Sequence, residues 1–154
     1  MKRLVILCMM VIMCGCFLVG CGGDSGKKEV DVNTLAEELK NGITYDDDLV
    51  DTTTEMMCRM FNVSKDYVAE QKTYNNSGAS AELISVIKCK SKEAAQIVKP
   101  ALIAYAAERK QMYASYNPTE ANKLGNAVIE VIDGNYVVIC VSGDSAKAKE
   151  IISK

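Results

Sequence analysis

The chain contains no histidine and no tryptophan, and only two prolines and two phenylalanines in 154 residues. Histidine's absence removes the commonest general base, the commonest metal ligand and every Ser/His or Cys/His nucleophilic dyad. An enzyme built from this chain would work with carboxylates, lysine, tyrosine or thiol, and no pair of those stands out by spacing. A dominant charge is lacking as well: 18 basic side chains face 20 acidic ones. Such a balance makes no electrostatic case for nucleic acid or for anionic headgroups. No residue pattern calls for a cofactor or a metal.

Cysteine is present but not in the form of a disulfide framework. Cys8, Cys14, Cys16 and Cys21 crowd the N-terminus, and the rest of the chain holds only Cys58, Cys89 and Cys140, an odd and widely spaced set without a CxxC pair. Their apolar neighbours suit buried free thiols, which behave as small hydrophobes. A single bridge between Cys89 and Cys140 on paired strands stays open as the alternative.

The first 21 residues carry the clearest signal. Lys2 and Arg3 precede an uncharged apolar run from Leu4, which ends in Leu18-Val19-Gly20-Cys21 and then Gly22-Gly23-Asp24. This looks like the lipobox of a bacterial lipoprotein signal peptide. Basic residues hold the start inside, the apolar run enters the bilayer, and small residues admit a peptidase to the backbone. Cys21 is the expected lipid attachment site, because it alone among the four has a leucine three residues upstream and polar sequence directly after it. The competing reading is an uncleaved anchor, since roughly 20 apolar residues span a bilayer. Both put everything after Asp24 on the extracytoplasmic side of the cell membrane. The expected organisation is a signal peptide at 1–20, a lipidated flexible tether at 21–29 and one globular domain at 30–154. Without Lys2 and Arg3 the net charge becomes about -4.

Within the domain, Asn33 to Gly42 reads as a short helix, with Thr34-x-x-Glu37 as a capping box. A second runs from Thr54 to Phe61 and buries Met56, Met57, Met60 and Phe61. Between them Asp46-Asp47-Asp48 suggests calcium, but the alternating ligands, glycine and distal acid of a calcium loop are missing, so a solvated turn is expected. The Asn62 and Asn75 sequons carry no weight behind a bacterial signal.

Tyr67 to Tyr74 and Ala81 to Lys90 form an expected hairpin, with the first strand at an edge. Ser91 caps a long helix carrying Ala94, Val98, Ala101, Leu102, Tyr105, Met112 and Tyr116, which Asn117-Pro118 ends and Pro100 kinks or divides. Ala127 to Ile132 and Tyr136 to Val141 flank Asp133-Gly134-Asn135 as a second hairpin, and these later strands are apolar enough to be covered on both faces. Ser142-Gly143-Asp144 opens a last helix. The fold class is α+β: a mostly antiparallel four-stranded sheet from two hairpins, with the long and C-terminal helices on one face and the short N-terminal helices partly on the other.

In this order the chain resembles a family of small bacterial lipoproteins catalogued as domain of unknown function 4358, over roughly Val30 to Lys154. The resemblance lies in Val32 to Leu39, Ser115-Tyr116-Asn117-Pro118, Asn126 to Ile129, Gly134 to Val138 and Ser142 to Lys149; Pro100 departs from the pattern. The family is typical of bacteria with a Gram-positive envelope, and it brings no activity or catalytic residue to carry over.

The residues therefore point to a membrane-tethered, non-enzymatic interaction or accessory module acting on an envelope protein partner. The alternative is a small-ligand or cell-wall/peptide binding protein or hydrolase. Its carboxylate candidates, Asp46 to Asp48 or Glu108 with Arg109, read more simply as solvated. Tyr105, Tyr113 and Tyr116 line the long helix as core aromatics rather than as a partner site.

Overall fold

The structure, a computed structural model, describes residues 29–154. The chain runs α1 (Val32–Gly42), β1 (Val50–Thr52), α2 (Thr54–Phe61), a 3-10 turn (Lys65–Tyr67), β2 (Val68–Asn75), β3 (Leu83–Cys89), α3 (Lys92–Ala114), α4 (Pro118–Gly125), β4 (Val128–Ile132), β5 (Tyr136–Val141) and α5 (Ser145–Ile152). The strands form one antiparallel sheet of five in the order β1-β2-β3-β5-β4.

Alternation of side chains along β3 and β5 produces two cores. Leu83, Ile87, Cys89, Val137, Ile139 and Val141 face a layer of α2, α3 and α4. Ile84, Val86, Val138 and Cys140 face α1 and α5. Met57 and Phe61, on one side of α2, are withdrawn from water into the first core, each contributing about 1.5–3 kcal/mol. In the second core α1 and α5 approach so closely that a Cβ on Gly42 would lie 2.8 Å from Ile151 Cδ1.

Helix starts follow their caps. Thr53, Ser91, Asn117 and Asp144 each accept a backbone N–H two or three residues into their helix. In α1 the cap is Asp31, which takes the Thr34 N–H at 2.6 Å. The expected box at Thr34 does not form, and Glu37 instead accepts the Tyr74 hydroxyl.

Several expectations are corrected. The sheet has five strands rather than four, because Val50–Thr52 pairs with Thr73 to Asn75; three residues are too few for a periodic signal. β2 thereby has a neighbour on both sides only at its C-terminal end. The C-terminal helix lies across the sheet from the long one, since Ala148 and Ile151 join the α1 core. Of the two later strands only β5 is buried throughout, and Glu130 and Val131 of β4 are exposed. Pro100 does not divide α3, which is continuous from Lys92 to Ala114. Asn117-Pro118 ends α3 and also opens α4, with Pro118 in the first turn where a missing N–H costs nothing. Met56 is exposed, unlike Met57. Cys89 and Cys140 belong to opposite cores, so no bridge joins them, and both are free.

Glu29 meets Lys88 and accepts the Tyr136 hydroxyl, so the described chain begins beside the β4–β5 turn. That turn places Asp133 (φ 50) and Gly134 (φ 84) in the left-handed region.

Candidate functional site

At the opposite end of β3 and β5, charge is buried. Glu82 directly precedes β3 and is 1% exposed, yet it carries a carboxylate. Its Oε2 accepts the N–H groups of Asp46 at 2.8 Å and Asp47 at 3.1 Å. Its Oε1 lies 3.0 Å from Lys123 Nζ.

Lys123 comes from α4, whose start is fixed by Asn117 and Pro118, so Glu120 and Lys123 share a face one turn apart. Glu120 Oε1 is 2.9 Å from Nζ, and its Oε2 accepts the Ala81 N–H at 2.7 Å. Asp46 Oδ2 completes the set at 2.6 Å. An ammonium has three donors, and here each has a carboxylate. Burial by itself would lower the Lys123 pKa, but the hydrogen bonds to Asp46, Glu120 and Glu82 outweigh it and hold the ammonium above its ordinary value. The lysine is thus charged and fully engaged, which suits it to joining the 43–48 loop, the 76–82 loop and α4 rather than to nucleophilic or basic chemistry.

A second ring of bonds supports the first. Asp47 accepts the Ser77 hydroxyl at 2.7 Å and the Ser77 N–H at 3.0 Å. The Ser77 hydroxyl is the main reason that the Asp47 carboxyl sits below its ordinary range. Tyr113 donates to the Ser80 carbonyl at 2.8 Å. Tyr45 donates to the Leu39 carbonyl at 3.2 Å, and its hydroxyl lies 3.6 Å from Cys140 Sγ. Burial, then the adjacent thiol, pushes the Tyr45 pKa up.

Of the residues singled out in the sequence, the aspartates form a turn whose backbone, not its side chains alone, matters. Asp46 is largely exposed yet reaches Lys123, and Asp48 is exposed. Among the described residues no group of three His, Cys, Asp or Glu side chains is placed to hold a metal ion. Glu108 is exposed, and Arg109 lies over the rings of Tyr105 and Tyr113. Tyr105 packs edge-on against Phe61 at 5.0 Å, while Tyr113 and Tyr116 are paired at 5.2 Å. Burial raises the pKa of all three core thiols, Cys89 to about 11, so they are protonated at neutral pH. Cys21 lies outside the described residues. Glu82, Glu120 and Lys123 escaped the sequence reading; the one available signal was an acidic residue abutting the apolar run Leu83 to Ile87.

A second feature lies along β4, which among the described residues pairs only with β5. An open groove of about 560 Å³ runs between this edge and α3, with Lys99, Ile103, Lys110, Ile129 and Lys149 on its walls. On the α5 side a groove of about 720 Å³ borders Glu130, Ile132 and again Lys149. No helix among the described residues is long and apolar enough to cross a membrane.

Residues 43–142 match the family described as Domain of unknown function (DUF4358). The match takes in the whole sheet with α2, α3 and α4, while α1 and α5, the layer on the other face, fall outside it. No curated protein and no solved structure matches the chain.

Proposed function

The chain belongs to the DUF4358 family, whose description assigns no activity, and we propose from the residues themselves that it is a lipid-anchored protein on the extracytoplasmic face of the cell membrane. There it serves as a non-enzymatic interaction or accessory module for other envelope proteins. The observation that carries this reading is Leu18-Val19-Gly20-Cys21, placed after Lys2, Arg3 and an uncharged apolar run and before a short polar stretch. Peptidase cleavage before Cys21 and a diacylglycerol thioether on its sulfur would leave nine residues, Cys21 to Glu29, before Val30, enough for a short leash. Tethering raises the concentration of the domain toward neighbouring membrane proteins without any new contact. The engaged state of Lys123 supports a binding rather than a catalytic role, because the most deeply buried cation among the described residues is committed to holding loops together.

The test is Cys21→Ala in the producing bacterium, with metabolic labelling by an alkyne fatty acid and membrane fractionation. The native chain is expected to take up label and sediment with membranes; the variant should lose label and be released or persist as a precursor. Undiminished labelling of the variant overturns the lipid assignment. Crosslinking on intact cells, with Cys21→Ala as control, tests the module itself: a reproducible envelope protein captured only by the lipidated form is the expected result.

A further inference from the structure

We propose that the free edge of β4 receives an extended, acidic segment of a partner protein as an additional strand of the sheet. The proposal rests on the interaction-module reading and names the chemistry of the partner.

An edge strand turns alternate backbone N–H and C=O groups outward, and native sheets blunt such edges with shortness, proline, bulges or charge. The far edge follows that rule: β1 is three residues long, and its Asp51 is paired with Lys72. β4 is blunted only by the single charge of Glu130: its five residues, Val-Ile-Glu-Val-Ile, contain neither proline nor glycine and stay in unbroken register with β5 from Val128 to Ile132. Val131 on this strand is 38% exposed, and Ile103 of α3, on the wall of the groove that borders the strand, is 48% exposed.

The surroundings select the partner. Lys99 and Lys110 of α3 and Lys149 of α5 line the groove that borders the strand. Lys149 also lines the groove on the other face, but there Glu130, Asp133 and Glu150 outnumber it, so the excess of positive charge lies on the α3 side, where three lysines share the groove with Glu130. None of the three makes an ion pair among the described residues, although most other lysine contacts of that kind are satisfied on this net acidic chain. A peptide laid antiparallel or parallel to β4 would send alternate side chains toward α3 and toward α5. Acidic residues on the α3 side meet Lys99 and Lys110, and apolar ones on the α5 side meet Ile132 and Ile152. A second copy of this chain is disfavoured as occupant, since it would bring the same lysines against one another. The segment before Glu29 is disfavoured too, because Lys27 and Lys28 outnumber Asp24.

The probe is a fluorescent heptapeptide alternating Glu and Val, titrated against the full chain in detergent micelles and read by anisotropy. Saturable binding is expected, weakened at least tenfold by the combined changes Lys99→Glu, Lys110→Glu and Lys149→Glu, with circular dichroism confirming an intact fold. N-methylation of the peptide amides on one edge of the strand should abolish binding, whereas methylation on the other edge should be tolerated. Equal binding of the Lys/Val counterpart, indifference to methylation on both edges, or absence of binding each overturns the β4 assignment. If the peptide fails while crosslinking on cells still captures a partner, the edge is wrong and the module reading stands; failure of capture with normal peptide binding removes the module reading instead.

Discussion

Lys123 Nζ lies 3.0 Å from Glu82 Oε1, although the two residues are 41 positions apart and their side chains are only 6% and 1% exposed. The pair unites the start of β3 with α4, and through Asp46 it extends to the loop after α1. Breaking a buried pair costs more than forming it gained, because the remaining charge is left desolvated.

Lys123→Met is therefore expected to destabilise the protein by about 3–5 kcal/mol, since Glu82 and Glu120 both lose their counter-charge. Adding Glu82→Gln and Glu120→Gln to that variant should recover part of the loss. Urea unfolding at pH 7 measures both, and a Lys123→Met midpoint equal to that of the native chain would contradict the structural role assigned to the cluster.

Stability should be level from pH 6 to pH 8, where a chain without histidine has little to titrate, and should fall in alkali. Lys123 has its folded pKa above the ordinary 10.5, so its contribution is complete below that value and is lost as pH climbs through the folded one. Buried Tyr45, raised from 10.0, acts in the same direction. Cys89, raised from 9.0 to about 11, starts the decline earlier, across pH 9 to 11. Urea midpoints at half-unit steps from pH 6 to 11.5 check this, and a main transition centred near pH 7 would refute it.

Cys58, Cys89 and Cys140 should resist alkylation in the native state at pH 8, being buried and protonated. Iodoacetamide followed by peptide mass spectrometry should show little modification of these three until denaturant is added. Rapid labelling of Cys140 in particular would mean that the α1–α5 layer opens readily.

Pro100→Ala should stabilise the chain by about 1–3 kcal/mol. Pro100 is exposed within a continuous helix, where it forfeits a hydrogen bond to the carbonyl four residues back. Thermal unfolding by circular dichroism measures the gain, and an unchanged midpoint would show that α3 has already adapted to the ring.

What could be read in the sequence was local. The Gly134 turn, the Ser91 cap and the apolar runs of β3 and β5 announce themselves through residue type and period, and they are where expected. What could not be read depends on distance. β1 is a strand only because Thr73 to Asn75 offer it a partner, and α5 lies opposite α3 for reasons of packing that its own eight residues do not encode. Glu82 looks like any polar residue at the head of a strand, and Lys123 like any helical lysine. Their meeting is a product of the fold and left no spacing to detect.

The close approach of Gly42 to Ile151 joins the first helix of the domain to the last. A chain emerging from the ribosome therefore makes α1 long before the helix that must lie against it, and Leu39, Val138 and Cys140 have an incomplete cover until α5 appears. Closure of this layer is the business of α5: a chain stopped short of Ser145 would be left with its second core open.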